Sequence, residues 1–137
     1  MRKSLNFKLL CLLIFIYSSG VVKADDFDKF CNPPTEMTSQ LVCGLAREQR
    51  VSPIKAGIAM TMASLQMTGT FCNFSFNQNF LESRMKFESD YEIAKVVKHL
   101  ISVYRGKPPP GFNGDQKVFC KMQHESFGPR STAKIFL

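Results

Sequence analysis

The side chains best suited to chemistry in this 137-residue chain are two histidines, His99 and His124, and four cysteines, Cys31, Cys43, Cys72 and Cys120. A metal site needs several ligands converging on one ion. The two histidines are 25 positions apart, on different predicted elements. No HExxH, no GxSxG, no glycine-rich phosphate loop and no calcium-loop spacing occurs. Serine, histidine and aspartate are present, but in no arrangement that specifies a nucleophile and its base. The reading is therefore of surface histidines, no catalytic residue, no metal, no cofactor and no enzyme.

The cysteines carry a different chemistry, and the start of the chain says which. Arg2, Lys3 and Lys8 precede an apolar run, Leu9 to Tyr17, and Val22-Lys23-Ala24 follows with small residues at cleavage-type positions. This is the pattern of a secretory signal peptide over residues 1–24, leaving residues 25–137 as one secreted domain that begins at Asp25. The apolar run is about half of the roughly 20 residues that a bilayer span needs, and no later segment is longer, so no transmembrane segment is expected. Removing residues 1–24 takes away Cys11 and leaves four cysteines, an even set that reads as two disulfides in an extracellular setting. It also takes four of the 18 basic residues, leaving 14 against 11 acidic ones, a net charge of +3. That is mildly basic and does not describe a nucleic-acid binder. Asn73-Phe74-Ser75 is an N-glycosylation sequon, so Asn73 is a candidate glycan site on a surface loop.

These residues must be positioned by helices. Thr35 can cap a first helix in which Met37, Leu41 and Leu45, with Val42 and Ala46, form an apolar stripe. Ser52-Pro53 opens a second helix, which Gly69 is placed to end. Ser89 with Glu92 reads as a capping box for a third, long helix whose inner face is Ile93, Val96, Val97, Leu100, Ile101 and Tyr104. Between the last two, FNQNFLESRMKF carries a short helix presenting Phe80, Leu81, Met85 and Phe87. Beyond Pro108-Pro109-Pro110 a loop-rich tail is expected, with KVFCKM a short helix or strand. The expected class is all-α: a small disulfide-stapled helical domain with an antiparallel helical hairpin, a third long helix and a loop-rich C-terminal tail.

Hairpin geometry ranks the disulfide pairings. Cys31 and Cys72 lie 20 and 21 residues either side of the turn near Val51, which favours Cys31–Cys72 and leaves Cys43–Cys120. The nested set, Cys31–Cys120 with Cys43–Cys72, is the rival. Cys31–Cys43 is disfavoured, because a helix from Thr35 to Cys43 rises about 12 Å and bonded Cα atoms lie within about 7 Å.

Met60, Met62 and Met67 crowd the second helix, and Phe71, Phe74, Phe76 and Phe80 follow it. They read first as core, because a helix apolar all round is buried. As an alternative, Met60, Met67 and the phenylalanines line a groove for a small apolar ligand.

The stretch from Cys31 to Cys72 contains KFC, then LVC eleven residues on, then RVSP opening an amphipathic helix, then TFC. It resembles the first half of the microplusins, secreted antimicrobial proteins of ticks. The resemblance implies a helical, secreted, disulfide-bonded defence protein and, through family histidines, copper sequestration. This chain departs from the family in having four mature cysteines rather than six and no histidine-rich tail, so neither His99 nor His124 is carried over as a ligand. The function expected is a secreted, non-enzymatic antimicrobial or defence effector acting on microbial surfaces. The alternatives are a carrier of a small apolar ligand and a modulator of a host protein.

Overall fold

The computed structural model describes Cys31 and residues 37–137. The signal peptide expected over residues 1–24 and the capping role of Thr35 lie outside the described residues. Five helices run through them: α1 Met37–Gln49, α2 Pro53–Phe71, α3 Gln78–Glu88, α4 Tyr91–Val103 and α5 Gln116–Phe127. Among the described residues the one β pairing is a single antiparallel bridge between Phe76 and Phe136.

The helix α2 is the axle, and it packs against both α1 and α4. Its apolar character all round is what allows this: residues 56–59 and 61–65 are buried in unbroken runs, so no face of the helix is left to solvent there. Ser52 caps its start by accepting from the Lys55 amide at 3.4 Å, with Pro53 in the first turn. The one hydroxyl buried deepest, Thr61, donates to the Gly57 carbonyl at 3.0 Å, so it enters the core satisfied.

The two turns flanking α2 use one device. Arg50 adopts a left-handed φ of 56°, and the Val51 amide closes back on the Ala46 carbonyl at 3.0 Å. At the far end Asn73 has φ of 57°, and the Phe74 amide closes on the Gly69 carbonyl at 2.8 Å. Both are Schellman closures, which satisfy carbonyls that a helix end leaves free. Gly69 is therefore not the terminator that the sequence implies. It lies inside α2, where an added Cβ would come within 2.5 Å of the Phe76 ring. The glycine is needed for close approach, and asparagine, which tolerates the left-handed region, ends the helix.

In α3, Phe80 and Phe87 point inward, and seven residues apart they share one face. Met85, expected on that face, is 71% exposed, because five residues from Phe80 turns it well away. The expected capping box of α4 is replaced. Asp90 is the cap, accepting from the Glu92 amide at 2.9 Å and the Ile93 amide at 3.3 Å, while Ser89 belongs to the end of α3. Glu92 is drawn instead to Lys55, whose Nζ lies 2.7 Å from Glu92 and 2.9 Å from Asp90. This clasp holds the start of α4 beside the start of α2. The hydrogen bonds that Lys55 donates to Glu92 and then to Asp90 push its pKa up to about 12. The Lys55 bond holds the Asp90 carboxyl below its ordinary value against an opposing desolvation. The clasp is thus intact at neutral pH. It is lost as acid protonates Asp90 below the ordinary carboxylate range, and at the other extreme as Lys55 discharges.

The C-terminal tail departs most from expectation. It holds the helix α5, capped by Asp115 through the Val118 amide at 3.0 Å. Beyond α5 the chain returns to the core: Ile135 and Phe136 are 2% and 0% exposed. Their backbone is fixed by Asn77 N–H donating to the Ile135 carbonyl at 2.7 Å and by Ile135 and Phe136 amides donating to the Phe127 carbonyl at 2.8 and 2.9 Å.

Candidate functional site

All four cysteines are disulfide-bonded, but in neither expected pairing: the bonds are Cys31–Cys43, with Cα atoms 5.7 Å apart, and Cys72–Cys120, at 5.5 Å. The helix-rise argument against Cys31–Cys43 fails on chain length. α1 begins at Met37, so Cys43 stands about 9 Å along it. Residues 32–36 can span more than about 16 Å when extended, so nothing forbids a return to Cys43. Cys72 does lie at the open end of the hairpin, as expected, yet its neighbour there is α5. Gln116 Nε2 donates to the Phe71 carbonyl at 3.0 Å, and the rings of Phe71, Phe112 and Phe119 meet with centroids 5.2 to 6.0 Å apart. That contact brings Cys120 to Cys72. Sequence spacing could not find it, because the segment holding α5 gave no fixed direction.

The two bonds close loops of very different length, 12 and 48 residues in sequence separation. The chain-entropy relation gives about 3 kcal/mol for the short loop and about 4 kcal/mol for the long one. Paired serine replacement at Cys72 and Cys120 is expected to destabilise more than replacement at Cys31 and Cys43 in urea unfolding. Non-reduced peptide mapping should join Cys72 to Cys120, and a peptide joining Cys31 to Cys72 would refute the arrangement.

Phe74, Phe76 and Phe80, read as core or as a groove, pack into one aromatic layer. Phe76 stacks on Phe80 with centroids 5.3 Å apart, and Phe136 meets Phe74 at 4.9 Å and Phe76 at 5.6 Å. Met67 packs on the main core, Met60 fills the space against Val42, Ala46 and Ala56, and Met62 is 2% exposed. The residues assigned to an apolar-ligand groove are thus occupied by one another. Phe136, which completes the layer, carried no periodic signal in the sequence.

The histidines are not brought together. His99 on α4 faces Glu48 of α1 at 3.7 Å, and His124 on α5 lies 3.1 Å from the Leu137 carbonyl and beside the Phe74 ring. Among the described residues no three His, Cys, Asp or Glu side chains converge as a metal site would require. The donor set of the described residues does not fit the copper that the microplusin resemblance implies, since copper(II) favours several nitrogen or oxygen ligands in a near-planar set and the thiols of Cys31, Cys43, Cys72 and Cys120 are spent in disulfides. Calorimetric titration with copper is expected to give dissociation constants no tighter than about micromolar, near −8 kcal/mol. A nanomolar, stoichiometric site lost on His99→Ala or His124→Ala would reverse this.

Asn73 is exposed at the left-handed end of α2, next to the Cys72 bond, and its sequon partner Ser75 is exposed as well. The site of greatest charge lies on other elements. Residues 93–137 hold eight lysines and arginines against Asp115 and Glu125 alone. Among the described residues, ion pairs engage only Lys55, Arg84 and His99, so none of those eight has a carboxylate partner. One of them, Lys95, donates to the Gln49 carbonyl at 3.1 Å and closes the C-terminus of α1. With the His99–Glu48 contact, this fixes the last turn of α1, carrying Arg47 and followed by Arg50, against the middle of α4.

Among known proteins, the chain matches no family model, no curated protein and no solved structure. No helix among the described residues is long and apolar enough to cross a membrane.

Proposed function

We propose that the protein is a secreted, non-enzymatic defence effector that binds the anionic surface of microbial cells. The observation that carries the reading is the excess positive charge of residues 93–137. An exposed cation without a carboxylate partner keeps its attraction for an external anion. Eight lysines and arginines stand against two carboxylates in these 45 residues, and seven of the eight are exposed, which gives the domain a positive region that the modest net charge conceals. The signal-like residues 1–24, the two disulfides and the likeness of the Cys31–Cys72 stretch to microplusins support export and a defensive role. In this reading Asn73 is the attachment point of a glycan, a mass that enzymatic deglycosylation of the secreted protein would remove. The apolar-ligand carrier is the weaker alternative, because its groove residues fill the core.

Binding to vesicles tests the proposal. Each Lys or Arg near an anionic bilayer contributes about 1 kcal/mol, screened over a Debye length of roughly 10 Å at 0.1 M salt. The protein is expected to sediment with vesicles containing phosphatidylglycerol and not with phosphatidylcholine alone, and to be released by 0.5 M salt. Equal binding to both vesicle types, or none to either, would sink the reading.

A further inference from the structure

We propose that the junction of α1 and α4 is the face that meets the membrane, and that its occupant is an anionic lipid surface. The inference rests on the proposed function and names where the contact is made. One hydrogen bond and one contact fix the place: Lys95 donates to the Gln49 carbonyl at 3.1 Å, and His99 lies 3.7 Å from Glu48. They bring the end of α1, with Arg47 and Arg50, beside Lys95 and Lys98 of α4; the carboxylates nearby are Glu48 and, three residues before Lys95, Glu92, which is paired with Lys55. Arg47, Arg50 and Lys98 are exposed and have no ion-pair partner among the described residues.

A helix turns about 100° per residue, so Tyr91, Lys95, Lys98 and Ser102 form one stripe of α4. The inner face, Ile93, Val96 and Val97, is buried on the opposite side. Tyr91, at the head of the outward stripe, is 77% exposed. An exposed amphipathic ring on the same stripe as Lys95 and Lys98, one and two turns away, suits the headgroup level of a bilayer, where the ring is half-solvated and the cations meet phosphates. The other candidate face, on α5, carries exposed Val118 and Met122, but there Lys117 and Lys121, though in no ion pair, are matched in number by Asp115 and Glu125, so α5 contributes nothing to the net positive excess of residues 93–137.

Two paired charge reversals separate a defined face from net charge. Arg47→Glu with Lys98→Glu alters the junction, and Lys117→Glu with Lys121→Glu makes the same charge change on α5. All four side chains are exposed and unpaired, so melting temperatures serve as the check on folding. Partition onto vesicles of phosphatidylglycerol and phosphatidylcholine is read at 0.1 M salt. The junction pair is expected to lose at least tenfold, and the α5 pair less than threefold. The chain has no tryptophan, so Tyr91→Trp and Met122→Trp are single reporters. Emission from position 91 is expected to shift to the blue on these vesicles, and emission from position 122 to stay put. Equal losses from the two reversals, or no shift at position 91, would overturn the placement while wild-type binding upheld the proposed function. Wild-type protein that fails to bind overturns both.

Discussion

Replacing Ile58 by aspartate is expected to leave no folded protein. Ile58 is 2% exposed in the centre of α2, within the cluster that joins Val96, Val97, Phe80 and Phe136. An aspartate there loses the packing of the isoleucine and carries a charge with no partner into the core. Buried polar groups without hydrogen bonds cost several kcal/mol and unpaired charges more. A domain of this size has about 5–15 kcal/mol to lose. Leu100→Asp should cost less, about 2–4 kcal/mol, because Leu100 is only partly buried against the core. Lys95→Asp should cost least, yet not nothing. From the sequence Lys95 stands on the polar side of its helix, but its ammonium closes the C-terminus of α1. An aspartate would lose that bond and set an anion at the negative end of a helix, together about 1–2 kcal/mol. Thermal melts of the three variants measure the order, and equal losses would mean that the helix faces are wrongly assigned.

Phe136→Ala is expected to cost about 3–5 kcal/mol, the range for removing a buried phenylalanine. The ring is 0% exposed and closes the aromatic layer over Phe74 and Phe76. Its loss would also loosen the segment that bridges back to Ser75 and Asn77, where the Leu137 amide donates to the Ser75 carbonyl at 2.9 Å. Phe136→Leu keeps most of the volume and should cost less than half as much. Phe112→Ala, at a partly exposed ring in the smaller cluster with Phe71 and Phe119, is the comparison and should cost less than Phe136→Ala. Urea unfolding of the set decides it. A loss within 1 kcal/mol of wild type for Phe136→Ala would show that the closing segment is dispensable to the core.

Local patterns in the sequence determined a good deal by themselves. The cap at Ser52-Pro53, the inner face of α4 and the all-round apolar character of α2 each follow from contacts within a few residues of the chain. Steric and hydrogen-bonding rules act at that range, so the sequence suffices there. The even set of cysteines likewise showed that two disulfides form. Which cysteine meets which was left to the tertiary structure, because pairing depends on where α5 docks, and that docking is made by Phe71, Phe112, Phe119 and Gln116 across more than 40 residues of chain. Tertiary structure also moved the cap of α4 from Ser89 to Asp90, since Lys55 of another helix claims Glu92. It made Gly69 a slot for a ring rather than a helix end, and it buried Phe136 through a single bridge that has no period to read. The charge shows the same division: the residues can be counted from the sequence, but the gathering of Arg47, Arg50, Lys95 and Lys98 exists only because α1 ends against α4, through contacts between residues far apart in the chain.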